Sequence, residues 1–416
     1  MHLKTSLLTI LGHCMKKILF AGAYGIDSYG DDASMLALTK AIKSKNKEIN
    51  FKVIARHHHE QKYNQYGIKS IEGLEYEDKI SSQGKWLKGF NPEDSGKPIY
   101  KLFKEIESAD LLIVGAGNFL VDYSIDILKG PVPIFLILTL MAKMAGTQIF
   151  WFGISVGPLN TRLGKKMSFL SGILGDKLTV RDHDSQRILK DLGIFKDVIV
   201  LPDPVLGLKR DTKSDTKRPN NFLEAHSQAK KVICVSLRAL PSGARLSNED
   251  FFNILAKTFD KLIQEYNYNL LFIPQCVYEK GEFLADDRNV NSAVISKIHN
   301  SQSCFQITEK LSVYDQIDLY SNATASICTR LHGSVFSIMK GIPTIGLNYN
   351  KKVKEFYEWC DLPDFTLDLE SLEPNKIIVS LNIAIEQRNK FRLLKKRIEG
   401  EGEDIIDKYA TLALGS

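Results

Sequence analysis

Short apolar runs recur along this chain, and most stop at glycine, aspartate or arginine before a stretch with helical spacing. Residues 17–21, 51–55, 110–115, 148–153, 177–182 and 198–201 read as strands. Helical spacing follows at 31–45, 99–106, 133–144 and 184–191. Strands that alternate with helices at this spacing build a parallel, doubly wound sheet. Residues 209–230 interrupt the pattern, being rich in Lys, Asp, Ser and Asn without an apolar stripe. A second α/β series then begins. Strands are expected at 232–237, 269–273, 325–328 and 344–347, and helices at 248–266, 290–298, 313–320 and 377–398. The chain therefore reads as an N-terminal α/β domain at 15–208, a linker at 209–230 and a C-terminal α/β domain at 231–398. A tail at 399–416 is expected to pack back on the first domain. Residues 1–14 read as an upstream extension, with Met15 opening the first domain, and polar residues 64–97 as an irregular surface insertion. Two Rossmann-like domains would face a shared cleft, where ligand sites concentrate.

Composition narrows the class. With 416 residues, 44% hydrophobic and 25% charged, each half can bury its own core. The net charge of +6 suits anionic small ligands or an anionic membrane surface, and is too mild to argue nucleic acid. The six cysteines are scattered without a C-x-x-C pair. Buried thiols in a reducing, cytoplasmic compartment are expected. No apolar run reaches the roughly 18 residues of a membrane span, and residues 7–12 are too short for a convincing signal peptide. His57, His58 and His59 resemble a metal tract. Only alternate members of a strand share a face and no carboxylate or cysteine set accompanies them, so no metal is expected.

The chemistry-bearing residues gather where strands end. After the run 325–328 come Arg330 and His332, then a small-residue helix, Gly341 and Pro343. A cation and an imidazole at a strand-to-helix junction suit a phosphate or carboxylate. In an extended turn the two would project to one side, with Leu331 opposite. Three glycine turns follow strands of the first domain, at 22–32, 115–122 and 153–158. None is a dinucleotide fingerprint or a P-loop. Gly30, Gly115, Gly117 and Gly157, with Asn118 beside them, would let backbone amides approach an anion. Gly30 also fits a tight turn before a helix that carries Asp31 and Asp32 in its first turn. Arg181 ends a strand, and Lys351 and Lys352 follow another. Nothing in the sequence suggests a Ser-His-Asp triad or a zinc peptidase helix.

In order along the chain, these segments resemble the polysaccharide pyruvyl transferase family. Ser28-Tyr-Gly-Asp-Asp-Ala33 is similar to its N-x-G-D-E-A turn, and 112–122 to its G-G-G-x-x-x-x-D loop. Residues 153–158 resemble G-x-G-I-G-P, and 179–193 resemble V-R-D-x-x-S-x-x-x-L-x-x-x-G. Leu201-Pro-Asp-Pro204 fits a D-P turn, Arg330-Leu-His332 matches R-L-H, and 346–353 resemble G-x-S-Y-D-P-K-V. Asp32, Ala116, Asn348, Asn350 and Lys351 depart from the pattern, which bears on acceptor choice. The resemblance implies the B-type glycosyltransferase fold. It also implies transfer of pyruvate from phosphoenolpyruvate to two hydroxyls of a sugar, as a ketal with release of phosphate, in exopolysaccharide or cell-wall glycan assembly. Phosphoenolpyruvate is then a co-substrate and no cofactor is required. A lipid-linked acceptor would bring the protein to the inner membrane face. The resemblance places His332, Arg330, Arg181 and Lys352 in the active site. Arginines can clamp a carboxylate or phosphate in bidentate fashion, and His332 is expected to move protons. Asp31 is a candidate base for a sugar hydroxyl. The alternatives are a nucleotide-sugar glycosyltransferase of the same fold and a non-catalytic sugar-phosphate binding protein.

Overall fold

The computed structural model describes residues 17–56, 60–74, 98–122, 130–210, 231–241, 244–279, 282–349 and 351–415. The extension at 1–14, the His57–His59 tract, most of the linker and Asn350 lie outside the described residues. The structure divides into two compact units. One comprises residues 1–25, 38–200 and 407–416, and the other 26–37 and 201–406.

The first sheet has seven strands: β1 (Lys17–Ala21), β2 (Asn50–Ala55), β3 (Ile68–Glu72), β4 (Leu111–Leu120), β5 (Gln148–Val156), β6 (Lys177–Val180) and β7 (Val198–Val200). Its order is β3-β2-β1-β4-β5-β6-β7, and each adjacent pair is parallel. The helices are α1 (Tyr29–Lys45), α2 (Glu60–Asn64), α3 (Pro98–Glu107), α4 (Pro131–Ala145), α5 (Arg162–Leu174) and α6 (His183–Asp191). Apolar side chains from α3 and α4 meet β4 and β5 in one core, where Trp151 is fully buried against Phe135, ring centroids 5.2 Å apart.

The second sheet has six strands: β8 (Lys231–Ser236), β9 (Tyr268–Phe272), β10 (Cys304–Gln306), β11 (Ala325–Cys328), β12 (Thr344–Asn348) and β13 (Thr366–Asp368). Its helices are α7 (Asn248–Gln264), α8 (Asp287–Ile295), α9 (Val313–Asp318), α10 (Leu331–Met339), α11 (Lys351–Trp359), α12 (Pro374–Glu386) and α13 (Arg388–Leu414). All pairs are parallel in the order β10-β9-β8-β11-β12-β13. Counted within the unit this is the 3-2-1-4-5-6 order of a dinucleotide-type fold, whose topological switch point lies between β8 and β11.

Several expectations change. The insertion read at 64–97 contains a strand: β3 pairs with β2, Ile68 opposite Phe51. Two strands run further into the glycine segments than their sequences suggest: β4 continues through Gly117 to Leu120, and β5 to Val156. A Cβ on Gly115 would fall 2.0 Å from the Phe152 carbonyl oxygen, so glycine is what permits this close pairing. Helix α5 was not anticipated. It tolerates Gly172 because a Cβ there would sit 2.3 Å from Ile194 Cδ1, and packing outweighs propensity. The single helix read at 377–398 breaks at Gln387, and α13 carries on through residues read as a tail. Gly402 lets α13 meet the turn at Pro204–Gly207, since a Cβ would lie 2.2 Å from the Leu206 carbonyl oxygen.

Candidate active site

In the second unit, β11 is flanked by β8 and β12, and all three deliver polar side chains at their C-terminal ends. Arg330 is the N-cap of α10, and His332 is the second residue of that helix. The helix sits close on the sheet because its inner face is small. A Cβ on Gly333 would lie 2.6 Å from Ser236 Oγ, and Ser337 Oγ is 2.8 Å from Ser326 Oγ. The backbone amide of Thr329 donates to the Ser236 carbonyl at 2.8 Å, fixing the junction against β8.

Arg330 and His332 engage different partners. The Arg330 guanidinium grips Asp287, with Nε 3.0 Å from Oδ2 and 3.1 Å from Oδ1. Asp287 opens α8, is fully buried, and also accepts the amides of Gln275 and Cys276 at 2.9 and 2.8 Å. Burial works against the guanidinium charge, but the attraction of Asp287 outweighs it, so Arg330 holds its proton more firmly than usual. The pairing uses Nε and Nη2, so Nη1 takes no part in it.

His332 turns to another acid. Its Nε2 is buried without a hydrogen-bond partner and lies 3.5 Å from Asp203 Oδ2. Asp203 is itself held as the cap of the turn at Pro204–Gly207, accepting the Val205 amide at 3.0 Å. On the other side of the ring stands Gly30. A Cβ there would lie 1.8 Å from His332 Nδ1, so only glycine admits the imidazole. The segment bearing Gly30 belongs to this unit and is tied down on both sides. Tyr29 N donates to the Gln275 carbonyl at 3.0 Å, Val277 N donates to the Asp27 carbonyl at 3.1 Å, and Lys310 pairs with Asp27 at 3.0 Å. Asp31 follows in the first turn of α1 and accepts the Ser28 hydroxyl at 2.5 Å.

Past the ends of β8 and β12 stand Arg238 and Tyr349. Arg238 Nη1 donates to the Tyr349 phenol oxygen at 2.7 Å, and its guanidinium lies 4.4 Å from the ring centroid. Lys352, on the first turn of α11, is 5.8 Å from that centroid. Burial pushes the phenol up, but Lys352, Arg238 and Arg330 together outweigh it and bring it down to about 7. Neither Arg238 nor Tyr349 was singled out in the sequence. The cue was a strand end after residues 232–237, one strand over from Arg330, which is legible only once strand order is known.

The remaining candidates lie in the first unit, along neighbouring strands. Gly115, Gly117 and Asn118 are in β4, with φ of 136° and 150° at the two glycines, and the Asn118 Oδ1 is buried without a hydrogen-bond partner. Gly157 follows β5 at φ 93°. Arg181 follows β6 and donates from Nε to Ser155 Oγ at 2.7 Å. Asp182 beside it caps α6 through the Ser185 amide at 2.6 Å. Asp122 holds the start of α5, accepting the Thr161 amide and hydroxyl at 2.8 and 2.7 Å. The structure thus gathers Gly30, Asp31, Arg330, His332 and Lys352 in the second unit, and Gly115, Gly117, Asn118, Gly157 and Arg181 in the first.

No thiol is a candidate nucleophile among the described residues. Burial pushes Cys276 and Cys304 up to about 12, and raises Cys234, Cys328 and Cys360 as well. No cluster of three or more metal-binding side chains occurs among the described residues.

The chain as a whole is similar to known proteins. A family model described as polysaccharide pyruvyl transferase matches residues 29–351. The amylovoran biosynthesis protein AmsJ of Erwinia amylovora is 23% identical over 283 residues, covering 67% of this chain and 66% of that protein. The match spans just under two thirds of that relative's length. Among solved structures, UDP-GlcNAc 2-epimerase from Methanocaldococcus jannaschii superposes with a TM-score of 0.59 at 13% identity, covering 97% of this chain and 100% of that one. The kitacinnamycin glycosyltransferase gives a TM-score of 0.54 at 12% identity, covering 95% and 97%. At such identities the likeness is one of fold, that of the B-type glycosyltransferases.

Proposed function

Because the chain belongs to the polysaccharide pyruvyl transferase family, we propose that it moves pyruvate from phosphoenolpyruvate onto two hydroxyls of a glycan sugar, forming a cyclic ketal and releasing phosphate. The relative named for amylovoran biosynthesis supports a place in exopolysaccharide assembly. The observation that carries the reading is His332: an imidazole with a buried, unbonded Nε2, set between Asp203 and a glycine that only an imidazole-sized gap explains.

The chemistry asks for such a group. As a sugar oxygen bonds to C2 of phosphoenolpyruvate, its methylene carbon must gain a proton. His332 is the acid for that step, with Asp203 Oδ2 3.5 Å from its Nε2 to orient the ring. Arg330, anchored by Asp287 at the end of β11, supplies a fixed cation for carboxylate or phosphate charge. Its anchoring leaves Nη1 for the substrate, so we assign it a single-ended contact in place of a bidentate clamp. Lys352 adds charge at the end of β12. Arg181 has the same kind of role in the first unit. Arg181→Ala should mainly raise the phosphoenolpyruvate requirement, and an unchanged donor dependence would mark it as structural.

Incubation with phosphoenolpyruvate and a panel of free and lipid-linked glycan acceptors tests the whole reading. The expected product carries the mass of a pyruvate ketal, with one phosphate released for each. Turnover of a nucleotide sugar without phosphoenolpyruvate consumption would overturn it in favour of a glycosyltransferase.

A further inference from the structure

The proton inventory of this reaction has two places for a second group. Two sugar hydroxyls each lose a proton. One proton ends on the former methylene carbon and the other on the departing phosphate, so the overall reaction needs no outside acid or base. His332 can serve the carbon, but a separate group must accept a hydroxyl proton at the same moment.

Tyr349 is the candidate for that group. It stands at the end of β12, beside the end of β11 that carries Arg330 and His332. The end of β8, which carries Arg238, flanks β11 on the other side. These strand ends include the switch point of the sheet, where ligands bind in open α/β folds. The phenol oxygen accepts a hydrogen bond from Arg238 at 2.7 Å, with the same guanidinium 4.4 Å from the ring centroid and the Lys352 ammonium 5.8 Å from it. Two cations this close do little for a neutral phenol's own proton, but they stabilise a phenolate strongly. The charged groups acting on it come from three elements: Lys352 from α11, Arg238 from the end of β8 and Arg330 from the end of β11. The last is itself paired with Asp287.

We propose that Tyr349 is a catalytic residue, a phenolate that removes the proton from the first attacking sugar hydroxyl and returns it to the leaving phosphate. In the first half, the sugar oxygen forms a bond to C2, the C2–C3 π pair takes the His332 proton at C3, and Tyr349 takes the hydroxyl proton. In the second half, the C2–O bond to phosphate breaks with its electron pair on oxygen, which Tyr349 protonates. The second hydroxyl then bonds to C2, and His332 recovers its proton from it. Both groups end as they began. Asp31 is less suited to the task, because its carboxylate already accepts the Ser28 hydroxyl.

The proposal rests on the pyruvyl transfer reading, and the test separates the two. The full-length protein is titrated by its tyrosinate ultraviolet band, wild type against Tyr349→Phe, without substrate. One extra tyrosinate with a midpoint near 7 is expected. A Tyr349 that ionises only in the ordinary range, about 10, overturns the proposal. In the transfer assay, folded Tyr349→Phe should lose at least about 10²-fold in kcat with little change in the KM for phosphoenolpyruvate, and lose the acidic limb of its pH profile. Arg238→Gln should move that limb to higher pH, a shift that a merely structural tyrosine would not give. A wild type that transfers pyruvate equally well as Tyr349→Phe overturns the base alone. A wild type that transfers none overturns both readings.

Discussion

At the scale of single residues, the imidazole of His332 is held by what surrounds it. Gly30→Ala would place a methyl 1.8 Å from Nδ1 and force the ring away from Asp203. Turnover should fall at least about 10-fold, with a stability loss of about 1–3 kcal/mol, measurable by kinetics and chemical denaturation. Arg330 invites a different prediction. Arg330→Met leaves the fully buried Asp287 carboxylate without its cation, which costs about 3 kcal/mol. Adding Asp287→Asn should restore part of that stability in the same denaturation experiment. No recovery would mean that the loss does not come from the unpaired Asp287 charge. Tyr349 has a signed pH dependence. Its folded phenol titrates below the unfolded value, so its contribution to stability is complete above about 10 and is lost as pH falls through about 7. The stability difference between wild type and Tyr349→Phe should therefore grow between those limits. Arg330 and His332 were legible in the sequence as a cation and an imidazole at a strand-to-helix junction, which is where they stand. Their partners Asp287 and Asp203 were not, because each lies far away in the chain and only the fold brings it near.

Elements explain where sequence reading succeeded and where it failed. Strands β1, β8 and β11 were visible because they are continuous apolar runs bounded by polar residues, the pattern of a strand buried on both faces. β3 was hidden by its alternating Ile-Lys-Ser-Ile-Glu pattern inside a polar stretch, which suits its place at the edge of the sheet. Helix α5 was hidden by its glycines, and α11 by its charged start. Glycine inside a helix proves informative once the packing is known. In α13, Gly402 faces the Leu206 carbonyl oxygen, a backbone atom that cannot give way. Gly402→Ala should cost about 1–3 kcal/mol by denaturation, where Gly400→Ala, with open space around it, should be neutral or slightly stabilising. The turn that Gly402 touches carries Asp203 as its cap, so Gly402→Ala should also lower turnover.

For the whole molecule, two parallel sheets in doubly wound order were legible from the alternation of elements, and the fold likeness to B-type glycosyltransferases follows. No described helix is long and apolar enough to cross a membrane. The division into units falls after Val200 and places residues 26–37, with Gly30 and Asp31, in the second unit. No pattern in those residues announces this, since α1 has an ordinary helical sequence and the assignment rests on contacts with residues 275–277 and 310–311. A donor that binds the folded protein should raise its melting temperature with concentration. Phosphoenolpyruvate is expected to do so, and a nucleotide sugar is not. Pyruvyl transfer through His332 is measured by the mass of the glycan product formed from phosphoenolpyruvate, with wild type and His332→Ala side by side. Wild type should form a pyruvate ketal, and the variant at least about 10²-fold less of it. Equal ketal formation by the two proteins, or none by wild type with any acceptor, would contradict that reading.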